Sequence, residues 1–277
     1  MRLGLSLPSM GSHPDPQRLA SVAQEAERLA FDSVWVPDHV LRVFGPILDP
    51  LTVLSFVAGA TQSIGLGTNV LIAPYRQPVI LANEAASLDV LSVGRFVLGV
   101  GAGWNEEEFS ALGISARERG RRTDETLEAM KRLWAGGPAT YEGRYYSFAG
   151  VTLGTSPETE GGPPILVGGY SDAALRRALH FGEKWGGFMD SPERIREVTE
   201  RLKHLAEGAG RDPRELEILT TFRTERPAPN RGDSAERVAG ELLRLKEAGV
   251  DLCVIAVSPT RPETLSWVAE EVAPRIR

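Results

Sequence analysis

Residues 64–105 read IGLGTNVLIAPYRQPVILANEAASLDVLSVGRFVLGVGAGWN, and this stretch decides the fold. Ile64–Ala73 is an almost uninterrupted apolar run, the pattern of a strand covered on both faces. Val79–Leu91 has the length and composition of a buried helix, and Arg95–Gly101 is a second apolar run. Strand, helix and strand in immediate succession form a parallel βαβ unit. The same alternation continues in both directions. Upstream lie the strand Leu3–Leu7, a helix with Leu19, Val22, Ala23, Ala26, Leu29 and Ala30 on one face, the strand Ser33–Pro37 and the helix Leu51–Gln62. Downstream, the helix Gly120–Leu133 is followed by a break in rhythm at residues 136–164. There Thr140–Tyr146 and Ser147–Leu153 predict a hairpin insertion. Strand and helix then alternate again as Ile165–Val167 and Asp172–Phe181, Trp185–Met189 and Pro192–Ala206, Leu216–Arg223 and Ser234–Ala248, Leu252–Val257 and Pro262–Val272. Eight strand–helix units predict an α/β fold of the (β/α)8 TIM-barrel type, one domain over residues 1–277 with a hairpin-like insertion before strand 5. A doubly wound open sheet shares the alternation, but the first βα turn lacks a glycine-rich phosphate loop.

Composition narrows the function classes. The 277 residues carry 37 acidic and 31 basic side chains, a net charge of −6 with both signs interspersed. Phosphate neutralisation wants a basic excess, so nucleic acid is not the expected partner. Residues 50–75 carry no charge, yet Pro50, Gln62, Gly65, Gly67 and Asn69 interrupt them, which argues against a membrane span. The opening residues lack a secretory pattern, and Cys253, the only cysteine, sits in an apolar strand without a disulfide partner. The expectation is a cytoplasmic protein acting on a small molecule.

In such barrels chemistry sits where strands end and βα loops begin. Read that way, strand 1 ends at Ser9, strand 2 at Asp38 and His39, and strand 3 runs out through Asn69, Val70 and Leu71 to Tyr75 and Arg76. Strand 4 ends at Gly101, Ala102, Gly103 and Trp104, and strand 5 at Gly168, Gly169, Tyr170 and Ser171. His39 is the only histidine so placed, a candidate to hold or move a proton near neutral pH. His13 falls in a Pro-rich loop, and His180 and His204 fall on helices, as surface residues. Gly99-Val-Gly101-Ala-Gly103 fails the spacing of a dinucleotide fingerprint, though its glycines admit a flat ligand on which Trp104 could stack. Gly168–Ser171 opens a helix, where backbone N–H groups and the helix dipole suit an anion; Arg176 and Arg177, one turn on, read as solvated charges. No second histidine stands at ligand spacing from His39, so no metal site is expected, and no G-x-S-x-G elbow marks a hydrolase.

Several stretches together resemble a known family: Phe31-Asp-Ser-Val-Trp-Val-Pro-Asp-His39, Leu66-Gly-Thr-Asn-Val-Leu71, Pro74-Tyr-Arg-Gln-Pro78, the run Leu88–Asn105, Glu118–Glu125 and Pro164–Arg177. The sequence is similar to the luciferase-like monooxygenase superfamily, in particular its coenzyme F-420-dependent oxidoreductase branch. The resemblance implies coenzyme F-420, or alternatively FMN, in the barrel mouth. It implies a non-prolyl cis peptide at Asn69–Val70 pressing on the ring, Gly101–Trp104 lining it, and Gly168–Ser171 holding the phosphate. Asp38 and Leu71 join the implied cofactor-binding set, and Ser9, Tyr75 and Arg76 the implied substrate pocket. His39 matches a histidine that contacts the ring and assists proton or hydride chemistry. Two features depart from the pattern. Trp104 stands where sugar-phosphate dehydrogenases of the branch carry a glutamate acid, and Gly182-Glu-Lys-Trp185 replaces the usual Gly-Asp-Gly-Trp. The expectation is hydride transfer between F-420 and a small organic substrate. The alternatives are an FMN-dependent two-component monooxygenase served by a separate flavin or F-420 reductase, a non-catalytic flavin- or deazaflavin-binding protein, and a metal-dependent barrel hydrolase. A homodimer is common in the family.

Overall fold

The apolar runs pair edge to edge until the sheet meets itself. In the computed structural model, residues 1–11, 15–207, 210–227 and 233–276 are described, and His13 lies outside them. The described strands are β1 (Arg2–Ser6), β2 (Ser33–Val36), β3 (Gly65–Thr68), β4 (Leu71–Ile72), β5 (Phe96–Gly101), β6 (Ala139–Glu142), β7 (Ser147–Val151), β8 (Ile165–Gly168), β9 (Lys184–Gly186), β10 (Glu217–Glu225) and β11 (Leu252–Ser258). With β3 and β4 as the two halves of one staggered strand, the parallel order runs β1, β2, β3/β4, β5, β8, β9, β10 and β11, and β11 pairs back onto β1. This is the closed eight-stranded barrel that the strand count predicts, in which no edge is left unpaired. The helices on its outside are α1 (Pro16–Arg28), α2 (Pro50–Ala60), α3 (Pro78–Leu91), α4 (Glu106–Ala111), α5 (Arg119–Trp134), α6 (Asp172–Phe181), α7 (Pro192–Ala206), α8 (Ala235–Glu247) and α9 (Pro262–Trp267). The expected hairpin is present as β6 and β7, antiparallel, between α5 and β8.

Local chemistry explains the elements. Asp15 caps α1 by accepting from Gln17 N and Arg18 N, with Pro16 at the first helical position, and Leu19, Val22, Ala23 and Ala26 face the barrel. Such a cap contributes about 1 kcal/mol. Ser171, Ser191 and Ser234 cap α6, α7 and α8 in the same way. Two expectations need correction. The strand read as Ile64–Ala73 is interrupted, because β3 stops at Thr68 and β4 starts at Leu71 with Asn69–Val70 between them. The last helix, read as Pro262–Val272, is α-helical only to Trp267 and widens into a π-helical turn over Val268–Val272.

Two cores result. Between strands and helices lies a large outer layer that includes Leu5, Val34, Leu66, Leu98 and Ile255. Inside the barrel a smaller plug of Trp35, Leu166, Leu219, Leu252 and Val254 closes the lower half. Trp35 fits because the facing positions are glycines. A Cβ on Gly4 would come 2.9 Å from its indole nitrogen, and a Cβ on Gly67 would overlap its six-membered ring. The indole N–H donates to Ser33 Oγ at 2.9 Å. Above this plug the barrel opens. No described helix is long and apolar enough to cross a membrane.

Candidate active site

A cavity of about 980 Å³ opens at the C-terminal ends of the strands, with Trp35 and Val254 at its floor. Its wall is built around the break in β3/β4. The Asn69–Val70 peptide is cis, where the family resemblance put it, and both residues line the cavity. Asn69 Nδ2 donates to Thr221 Oγ1 at 3.1 Å across the barrel. Val70 is wedged between two glycines: a Cβ on Gly101 would stand 2.7 Å from Val70 Cγ2, and one on Gly168 would stand 3.0 Å from Val70 Cγ1. The Gly99-Val-Gly101-Ala-Gly103 run therefore has a packing explanation. Gly99 admits the carbonyl of Thr68, Gly101 admits Val70, and Gly103, at φ +77°, admits Ile72 and Phe109.

His39 lies on the cavity wall with Nδ1 3.0 Å from Glu108 Oε2. Glu108 is fully buried and also accepts from Val40 N at 2.7 Å, Leu41 N at 3.0 Å and Tyr75 Oη at 3.1 Å. Burial alone would push its pKa up, but the donors from His39, Leu41 and Val40 outweigh that and hold it below the usual carboxylate range. An ionised Glu108 requires the imidazole proton on Nδ1, which leaves Nε2 as the nitrogen open to an occupant of the cavity. Burial, and then Glu108, push the Tyr75 phenol well above its ordinary value.

Asp38 also touches the cavity, but its carboxylate is engaged elsewhere. It accepts from Ile72 N at 2.8 Å and from both terminal nitrogens of Arg76, at 2.5 and 3.2 Å. Arg76 continues to Asp49, the N-cap of α2, at 2.9 Å. This chain of ions pins β4 against β2.

On the far side of the mouth, Gly168–Ser171 leads into α6, with Gly169 at φ +123° and Ser171 Oγ accepting from Ala174 N at 3.2 Å. Tyr170 Oη donates to Asp190 Oδ1 at 2.8 Å and accepts from Phe188 N at 2.7 Å. Arg117, Arg119, Arg177 and Arg223 reach the same cavity. Arg177, read from sequence as a solvated charge, is buried: Nε donates to Asp124 at 2.6 Å and Nη2 to Gly120 O at 3.0 Å, tying α6 to the start of α5.

Of the site residues expected from sequence, the fold gathers His39, Asp38, Asn69, Val70, Gly101, Ala102, Gly103, Trp104, Gly168, Gly169, Tyr170 and Ser171 on one cavity. Leu71, Ser9, Tyr75 and Arg76 stand behind its wall. Leu71 and Ser9 are buried in packing, while Tyr75 and Arg76 spend their polar atoms on Glu108 and on Asp38 with Asp49. Trp104 stands edge-on to His39, with ring centroids 5.6 Å apart. His180 and His204 are exposed on α6 and α7, as expected. Glu108, Phe44 and the arginines escaped the sequence reading. The Asn105-Glu-Glu-Glu108 text mimics a helix capping box, and Asn105 does cap α4, yet Glu108 turns to another loop. Among the described residues, no cluster of three metal-ligating side chains is close enough to hold an ion.

Comparison with known proteins bears on the family and the fold. The family model described as luciferase-like monooxygenase matches residues 1–225. An F-420-dependent glucose-6-phosphate dehydrogenase from Kineococcus radiotolerans is 33% identical over 220 residues, which cover 75% of this chain and 64% of that enzyme. A monooxygenase from Streptomyces bottropensis superposes over 100% of both chains with a TM-score of 0.88 at 22% identity. An F-420-dependent secondary alcohol dehydrogenase, solved with an F-420–acetone adduct, has a TM-score of 0.87 at 21% identity and covers 100% of this chain and 99% of its own. At such identities these two structures bear on the fold alone. With four-fifths of its length matched, the chain belongs to the luciferase-like monooxygenase family.

Proposed function

We propose that the protein is an oxidoreductase that transfers hydride between coenzyme F-420 and a small organic substrate. The observation that carries this reading is one cavity that joins a glycine-cleared wall backed by Val70 to a set of arginines. Gly101 and Gly168 make room for Val70, which would support the face of a planar ring. Arg117, Arg119 and Arg223, with the amides of Gly168–Ser171, would hold an anionic tail. Three exposed guanidinium groups exceed what one phosphate monoester needs and suit the several negative charges of F-420. When bound, a deazaflavin supplies hydride chemistry without activating dioxygen, because carbon replaces the flavin ring nitrogen.

The chain's own residues would orient and protonate. Glu108 fixes the His39 ring and its tautomer, so Nε2 accepts a proton from an alcohol in one direction and, once charged, donates it to a carbonyl oxygen in the other. Trp104 would shield His39 from water. Relatives bearing F-420-dependent names support this reading, one of them 33% identical over 220 residues.

The test is a titration of the purified protein with F-420 and, separately, with FMN, followed by cofactor fluorescence and the visible spectrum. Saturable F-420 binding that is at least tenfold tighter than FMN binding is the expected result. The reverse preference would move the activity to a flavin-dependent monooxygenase fed by a separate reductase, and binding of neither would sink the reading.

A further inference from the structure

The hairpin of β6 and β7 stands outside the strand–helix rhythm, and its contacts run along one face of α5. Tyr141 Oη donates to Glu128 Oε2 at 2.9 Å. One turn of helix earlier, Glu125 accepts from Arg144 N at 3.0 Å, Tyr145 N at 2.8 Å and Tyr146 N at 3.3 Å, so a single carboxylate gathers the backbone of the hairpin tip. Gly143 makes this possible, because a Cβ there would run into that carboxylate. At the next step the Tyr145 ring lies against the Arg122 guanidinium, whose Cζ stands 4.3 Å from the ring centroid. Positions 128, 125 and 122 thus lead the hairpin back to the first turn of α5.

That first turn is electrostatically loaded. Arg117, Arg119, Arg121 and Arg122 fall within six residues, with Glu118 the only acid among them. The helix starts at Arg119 without a side-chain cap, so the positive end of its dipole adds to the repulsion. Arg117, Arg119 and Gly120 nonetheless line the cavity. Arg119 Nη1 donates to Ala116 O at 2.7 Å, and among the described residues neither Arg117 nor Arg119 has a carboxylate partner. Two braces hold the turn in place. Arg177 grips Gly120 O and Asp124 from the α6 side. From the hairpin side, Arg122 donates through Nε and Nη2 to Glu118 Oε2 at 3.2 and 3.1 Å, which fixes the residue between the two cavity-lining arginines. The face of Tyr145 holds the Arg122 guanidinium in that fork.

We propose that Tyr145 and Arg122 are positioning residues: the hairpin tip, acting through Arg122 and Glu118, holds the Ala116–Glu118 turn so that Arg117 and Arg119 meet the anionic part of the cofactor. The inference rests on the reading of the cavity as an F-420 site. It gives the insertion a task in binding, although Tyr145 and Arg122 do not themselves line the cavity. Without the stacked ring, Arg122 is free to leave Glu118, and the like charges on either side of Glu118 drive the turn open.

The experiment is calorimetric titration of the full chain with inorganic pyrophosphate, which carries charge but no ring, beside titration with F-420. Tyr145→Leu, checked for folding by circular dichroism, is expected to weaken pyrophosphate binding about two- to fivefold. Tyr145→Phe keeps the stacked face and should bind as wild type. In an Arg117→Gln, Arg119→Gln background the Tyr145→Leu change should add nothing, because its effect passes through those two side chains. A general loosening of the hairpin would instead weaken binding by the same factor in both backgrounds. Pyrophosphate binding that ignores Tyr145→Leu, equal losses in the Leu and Phe variants, or additive losses would overturn the proposal. The F-420 titration separates it from the reading on which it rests. Wild-type protein that binds pyrophosphate with the Tyr145 dependence but does not bind F-420 keeps the brace and removes the F-420 reading. Tight F-420 binding that is insensitive to Tyr145→Leu does the reverse, and binding of neither ligand overturns both.

Discussion

At the scale of single residues, Glu108 and His39 act as a unit whose parts lie on different βα loops. The carboxylate takes two backbone N–H groups of the His39 loop as well as the imidazole, so it shapes the loop and sets the tautomer together. Replacing it by glutamine keeps one acceptor oxygen for the loop but removes the charge opposite Nδ1. We expect Glu108→Gln to lower turnover about tenfold or more with cofactor affinity little changed, and His39→Ala to lower it about a hundredfold or more. Single-turnover kinetics beside a cofactor titration checks both. Turnover of Glu108→Gln equal to wild type would remove its positioning role. His39 was legible in the sequence because a lone histidine ended a strand. Glu108 was not, because it sits among three consecutive glutamates and its partner loop lies far away in the chain.

At the scale of elements, the site depends on how closely β5 approaches the broken strand. Thr68 Oγ1 donates to Gly99 O at 2.7 Å, and the Thr68 carbonyl occupies the space where a Gly99 side chain would be. The obstacle is backbone, so relief requires the strands to separate. Gly99→Ala is expected to cost about 2–3 kcal/mol, read as a lower denaturant midpoint at unchanged m-value. An unchanged midpoint would show that the strands can part freely. Sequence reading recognised the two apolar runs as strands but took Ile64–Ala73 as continuous. Its residues are apolar on both sides of the break, and the interruption answers to the partner strand and the cavity, not to local propensity.

At the scale of the whole molecule, closure of the barrel relies on turns at its N-terminal end as well as on the plug. Glu27, at the end of α1, accepts from Gln62 N at 2.8 Å, Ser63 N at 2.5 Å and Ile64 N at 3.0 Å, clamping the turn into β3. Partial burial opposes its charge, but these donors prevail and bring its pKa from 4.5 down to about 2. A folded pKa below the unfolded value contributes stability that is complete above pH 4.5 and lost as pH falls through about 2. Discounted for solvent screening, that is about 1–2 kcal/mol. Glu27→Gln should therefore destabilise the protein at neutral pH and flatten its acid-unfolding curve between pH 5 and 2. A mutant curve parallel to wild type would contradict the clamp. The amino-acid sequence by itself determined the barrel, since eight apolar runs separated by amphipathic helices have few other ways to bury both sheet faces. It also determined which loops meet at the mouth, because strand ends are fixed once strands are parallel. Only the tertiary structure decided which side chains face the cavity. Arg76 and Tyr75 turn away to satisfy buried Asp38 and Glu108, while Arg177 and Phe44 turn toward it. Those choices follow from pairing charges and filling space between segments remote in sequence, and no local pattern encodes them.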